Sequence, residues 1–129
     1  MLGEPTDGFR TFLKTLTSGR ISVGALAVGT AQGAYEQALK YSTEREVFDK
    51  PIYKFQSISF KLADMATDIE ASKLLVYHAA WMKDHNKDIV KEAAMAKLFA
   101  SETAMRVATD AIQIHGGYGY VKELSLIHI

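Results

Sequence analysis

The segment STEREVFDKP, Ser42 to Pro51, sets one guanidinium, Arg45, three residues ahead of an aromatic ring, Phe48. A guanidinium there has two uses. It can sit at the carbonyl end of a helix, where the dipole favours a cation by about 0.3–1 kcal/mol. Its planar fork can also hold a phosphate or carboxylate through paired N–H donors, with Phe48 shielding the contact from water. Gln56, eleven residues after Arg45, can add an amide to such a contact. A second segment, HGGYGY from His115 to Tyr120, follows a helix-like run. Gly116 or Gly117 in a left-handed conformation would end that helix, with Tyr118 or Tyr120 packing back on it. A cap needs one glycine. Two adjacent glycines and Gly119 also strip side chains from a surface that a flat or phosphate-bearing ligand could touch. A third segment, LTSGRIS, carries Arg20 directly after Gly19. An arginine within a helix is ordinarily solvated or paired with an acid.

Other chemistries find little support. His78, His85, His115 and His128 lack metal-ligand spacing, and no carboxylate–histidine pattern surrounds them. No Walker loop, dinucleotide fingerprint or nucleophile elbow appears. Fifteen Lys and Arg balance fifteen Asp and Glu, which gives no reason to expect nucleic acid or an anionic membrane surface. The absence of cysteine removes disulfide and thiolate chemistry. No apolar run reaches the roughly 18 residues of a membrane span, and no signal-peptide pattern opens the chain.

Three long helices must position these groups. The first is expected from about Phe9 to Tyr41, with Phe12, Leu16, Val23, Leu26, Ala27, Ala34 and Leu39 near helical spacing. Thr6 and Asp7 can cap it. Gly19, Gly24, Gly29 and Gly33 lie inside it and suggest close approach of another backbone or of a ligand. The second runs from about Phe55 to Lys83. Phe55, Ile58, Leu62, Met65, Ile69, Val76 and Ala80 mark one stripe, and Leu75, His78 and Met82 begin another, which predicts burial on more than one side. The third runs from about Ile89 to Ile114 and is dense in alanine, which permits tight packing. Short links, DKPIYK and DHNKD, make neighbours antiparallel, and Pro51 blocks helix continuation. The expected fold is all-α: an up-down antiparallel bundle of three rods that a fourth would close. Residues 9–124 form that domain.

These segments, in this order and spacing, resemble the C-terminal helical domain of acyl-CoA dehydrogenases. The match runs from GFRTFLKTLTSGRISVGALAVGTAQGAYEQALKYSTEREVFDKPIYKFQSISFKLADMATDIEASKLL through KEAAMAKLFASETAMRVATDAIQIHGGYGYVKE, or about Leu2 to Leu124. The resemblance implies a parent flavoenzyme of fatty-acid β-oxidation that converts acyl-CoA to trans-2-enoyl-CoA. A carboxylate takes the α-proton, the β-hydrogen leaves as hydride to FAD, and an electron-transfer flavoprotein is the usual acceptor. Members are commonly homotetramers in which FAD lies partly against a neighbouring subunit. The resemblance assigns Arg45 to the FAD pyrophosphate across that interface, with Phe48 beside it and Gln56 also reaching the cofactor. Gln113, Ile114, His115, Gly116 and Gly117 match the segment that cradles the adenosine side. Thr17, Ser18, Gly19 and Arg20 match a stretch beside the acyl-CoA, with Arg20 a positioning group.

Departures from the family pattern bear on mechanism. Asp49 stands where glycine is frequent, and Thr17 where Asp is. After GYVKE the family continues into a fourth helix, whereas LSLIHI follows here, so residues 125–129 read as an atypical tail and residues 1–8 as the exit from a β-domain. The base of most members lies beyond that point. A minority place it at the position of Gly19, which cannot accept a proton. Glu70, Glu92, Glu102 and Glu123 match no base position, so no catalytic residue is expected in this chain. The alternative is a non-catalytic helical interaction module. The compartment implied is the cytoplasm in a bacterium, which is preferred, or the mitochondrial matrix in a eukaryote.

Overall fold

The computed structural model describes residues 7–121. Thr6, Glu123, His128, most of the expected β-domain exit and the whole expected tail lie outside them. Three long helices dominate: α1 (Gly8–Glu44), α2 (Gln56–Asp84) and α3 (Val90–His115). Between α1 and α2 lie two short strands, β1 (Glu46–Val47) and β2 (Lys50–Pro51), and a 3-10 turn (Ile52–Lys54). A second 3-10 turn (Gly116–Tyr120) follows α3. Each helix lies within one turn of its predicted limits.

The bundle is up-down-up. Lys61 near the start of α2 bonds Asp110 near the end of α3 at 2.5 Å, and Asp68 accepts both Nε and Nη2 of Arg106, the latter at 2.7 Å. This crossed pairing fixes α2 and α3 as antiparallel. The ends of α1 and α3 meet, where Tyr41 stacks on His115. Buried positions on α2 are Leu62, Met65, Ile69, Ser72, Val76 and Ala79. They alternate three and four residues apart, the seam of knobs-into-holes packing. The predicted second stripe does not form: His78 is exposed, and Leu75 and Met82 are half-buried. One seam is all that two neighbouring helices can cover.

The α1 face also corrects the sequence reading. Ile21, Gly24, Ala31, Ala34, Ala38 and Ser42 point inward. Of the predicted stripe only Ala34 is fully buried, while Leu26 remains 72% exposed and Phe12 58%. Small residues let α1 approach α3 closely, as large ones would not. A Cβ on Gly24 would lie 3.2 Å from Val76 Cγ2 and 3.5 Å from the Ala96 carbonyl oxygen. Gly19, Gly29 and Gly33 face open space within 4 Å, so only Gly24 marks a close backbone approach. Ala93, Ala96 and Ala100 supply the matching flat face on α3, as their density predicted. Asp7 precedes α1 but makes no side-chain cap bond.

The core divides in two. One cluster, with Leu62, Met65, Ile69, Val107 and Ile114, lies toward the hairpin end. The other, with Ile21, Val76, Ala79, Ala96 and Ala100, lies toward the α2–α3 link. Ser72 and Thr103, both buried, fall between them in sequence on α2 and α3. Ser72 Oγ donates to the Asp68 carbonyl, whereas Thr103 Oγ1 has no partner among the described residues.

Candidate functional site

Two helix ends build a cleft of about 550 Å³ lined by Tyr41, Arg45, Val47, Ile52, Ile114, His115, Gly116, Gly117, Tyr118 and Val121. Arg45 is the residue after α1, its N–H bonded to the Tyr41 carbonyl and its backbone extended. Its carbonyl accepts the N–H of Ile52 at 2.9 Å, which ties the hairpin back to the helix end. The guanidinium lies 5.8 Å from the Tyr118 ring centroid, within cation–π range. Both α1 and α3 direct carbonyl ends toward this region, a negative field. Arg45 supplies the permanent positive charge that makes an anion acceptable there.

The glycines of HGGYGY have three different reasons. Gly116 ends α3 at φ 58 and ψ −131, a conformation that side chains exclude. It is thus the cap residue of the two that the sequence left open. Gly119 packs on α3: an added Cβ would sit 2.7 Å from the Ile112 carbonyl oxygen. Gly117 has neither constraint, since its φ is ordinary and an added Cβ would meet nothing within 4 Å. Nothing in the described fold requires Gly117 to lack a side chain. A ligand approaching bare peptide would. Tyr118 packs on Tyr41 of α1 with ring centroids 6.3 Å apart, and Tyr120 is exposed.

Five predicted cofactor positions therefore converge: Arg45, Ile114, His115, Gly116 and Gly117. Gln113 and Gln56 are exposed and do not line the cleft. Phe48 stands at the tip of the β1–β2 hairpin, 86% exposed. With Asp49 it forms a two-residue turn in which both residues have positive φ, 52 and 59. Such a turn matches the strand twist but ordinarily recruits Asn and Gly. A strained, uncovered aromatic residue is a feature of ligand clamps. The sequence reading missed Tyr41 and Tyr118. Tyr41, four residues before Arg45, accepts the Arg45 N–H at 2.9 Å and was detectable by that one-turn spacing.

Thr17, Ser18 and Arg20 line a second cleft of about 550 Å³, together with Arg10, Leu13, Lys14, Asp88, Ile89 and Val90. Gly19 is not among its walls. Thr17 Oγ1 donates to the Leu13 carbonyl at 3.0 Å. The carboxylate there, Asp88, accepts the N–H of Val90, the first residue of α3, at 3.1 Å. Arg20 and Arg45 lie 25 residues apart along one helix and its cap, or about 38 Å at 1.5 Å per residue. Among the described residues no three His, Cys, Asp or Glu side chains form a metal cluster, and no helix is long and apolar enough to cross a membrane.

Comparison with known proteins bears on this arrangement. The family model for the acyl-CoA dehydrogenase C-terminal domain matches residues 6–129. The chain is 58% identical over 123 residues to probable acyl-CoA dehydrogenase YngJ of Bacillus subtilis, covering 95% of this chain and 32% of that protein. It is 52% identical over 122 residues to the caffeyl-CoA reductase–Etf complex subunit CarC of Acetobacterium woodii, covering 95% and 32%. Butyryl-CoA dehydrogenase of Megasphaera elsdenii superposes with a TM-score of 0.97 at 52% identity, over 98% of this chain and 33% of that one. The chain thus spans about a third of the length of these relatives. The chain belongs to the FAD-dependent acyl-CoA dehydrogenase family, within its all-α C-terminal domain.

Proposed function

We propose that this chain is the C-terminal domain, with residues 9–124 as its body, of an FAD-dependent acyl-CoA dehydrogenase. In this reading Arg45 holds the FAD pyrophosphate while Gly116 and Gly117 let peptide approach the adenosine side. The observation that carries the reading is the meeting of Arg45 with a glycine, Gly117, that the fold does not need. The residues present fit the cofactor: a fixed cation faces the cleft, and the peptide beside it bears no side chain. When bound, FAD would accept the hydride released from the acyl β-carbon as trans-2-enoyl-CoA forms.

Thr17, Ser18, Gly19 and Arg20 would lie beside the acyl-CoA. Arg20 and Arg45 lie about 38 Å apart along α1 and its cap, so the two clefts are separate places on the chain. In this reading one chain contributes to two active sites, with FAD bound across a subunit interface in an assembly of at least two copies. The homotetramer and the electron-transfer flavoprotein acceptor belong to the same proposal. The α-proton base would come from outside the described residues: Glu70, Glu92 and Glu102 line neither cleft, Gly19 has no carboxylate, and Asp88, the carboxylate of the Arg20 cleft, is bonded to the Val90 N–H.

Arg45→Ala in the full-length enzyme tests this reading. Loss of a charge-assisted contact, about 1.5–3 kcal/mol, should weaken FAD retention roughly ten- to 150-fold. Undiminished flavin content after gel filtration would overturn it.

A further inference from the structure

His115 belongs to the last turn of α3 and is 3% exposed. Its ring stacks on Tyr41, with centroids 4.5 Å apart and planes 27° from parallel. Nδ1 lies 2.7 Å from the Ala111 carbonyl oxygen. A carbonyl can only accept, so Nδ1 carries a proton, and in the neutral ring Nε2 is an acceptor. Nε2 has no partner among the described residues. The ring lines the Arg45 cleft, and Nε2 is its one nitrogen not bonded to the α3 backbone. A phenyl ring would serve the packing as well. The imidazole adds only the bond to Ala111 and a second nitrogen, an acceptor, on a ring that lines the cleft.

We propose that His115 is a specificity-determining residue that reads a hydrogen-bond donor on the ligand. The cleft then offers three complementary features: the Arg45 charge, bare peptide at Gly116 and Gly117, and an acceptor at His115 Nε2. The matching class is a nucleotide whose phosphate lies near a free hydroxyl, such as the ribose hydroxyls of a dinucleotide's adenosine. This inference rests on the reading of the cleft as an FAD site and deepens it by assigning hydroxyl recognition to one side chain.

The test is titration of the full-length apoenzyme with FAD and with FAD analogues lacking the 2′- or the 3′-hydroxyl of the adenosine ribose. Wild type should bind FAD roughly three- to tenfold tighter than one of the two analogues, the scale of one neutral hydrogen bond. His115→Phe should keep the stack on Tyr41, lose that discrimination and bind the analogue as wild type does. Arg45→Ala should weaken all three ligands alike and keep their ratio. Equal wild-type affinity for FAD and both analogues overturns the proposal, and needs no variant to fold. So does a His115→Phe protein that still discriminates, or one that loses FAD and both analogues to the same extent. Arg45→Ala with undiminished affinity would instead remove the FAD reading itself, so the two failures are distinguishable.

Discussion

Alanine at Gly116, Gly117 and Gly119 in turn separates the glycines that the fold needs from the one that a ligand needs. Gly116 has φ 58, so Gly116→Ala forces a side chain into a disfavoured region at about 1–3 kcal/mol. Gly119→Ala places a methyl 2.7 Å from a helix carbonyl oxygen, and the overpacking costs about 1–3 kcal/mol. Gly117→Ala meets nothing within 4 Å at ordinary φ. It should leave the apoprotein unchanged or stabilise it by about 0.4–1 kcal/mol through the unfolded chain. In the holoenzyme the same methyl occupies space that the dinucleotide needs, and about 1–3 kcal/mol of crowding becomes roughly five- to 150-fold weaker FAD binding. The assay pairs the apoprotein thermal midpoint with flavin titration for each variant. Gly117 alone should lose cofactor without losing stability. Normal FAD affinity in Gly117→Ala refutes the close approach of ligand to bare peptide, and a large fall in its apoprotein midpoint refutes the open space around that residue.

Other positions give sharper readings of the fold. Thr103→Val removes a sealed hydroxyl without a described partner and should stabilise the apoprotein by about 1–3 kcal/mol, measured by denaturant unfolding. A fall in stability would show that the hydroxyl is satisfied by a partner such as a buried water. Phe48→Asn and Asp49→Gly, at φ 52 and 59, should each raise the apoprotein midpoint by relieving turn strain of up to about 1 kcal/mol. Phe48→Asn should also weaken FAD retention if the ring covers the Arg45 contact, and unchanged retention would free Phe48 from that role.

Helix limits were legible because periodicity, Pro51 and the glycines act locally. The buried face of α1 was not. Its largest apolar residues, Phe12 and Leu26 among them, point away from α2 and α3, and periodicity records which face is apolar without naming what covers it. The β1–β2 hairpin was read as a plain link, since Phe48–Asp49 lacks the Asn–Gly signal of such turns. Arg45 and Gly117 are 72 residues apart. Spacing alone left each with a bland explanation, and their convergence came from family resemblance. Only the coordinates could sort Gly116, Gly117 and Gly119 by cause, because a φ angle and a clash with Ile112 are three-dimensional facts.

The 37-residue helix α1 is also a ruler. It sets the spacing and the phase of Arg20, within it, and Arg45, at its cap. Removing one residue between Arg20 and Arg45 would shorten that span by about 1.5 Å and swing one end by about 100° against the other. Side chains along the rod's outer face can vary with little effect on this geometry, but the number of residues between the two arginines cannot. An insertion of seven, nearly two full turns, would restore the phase to within about 20° while lengthening the rod by roughly 10 Å.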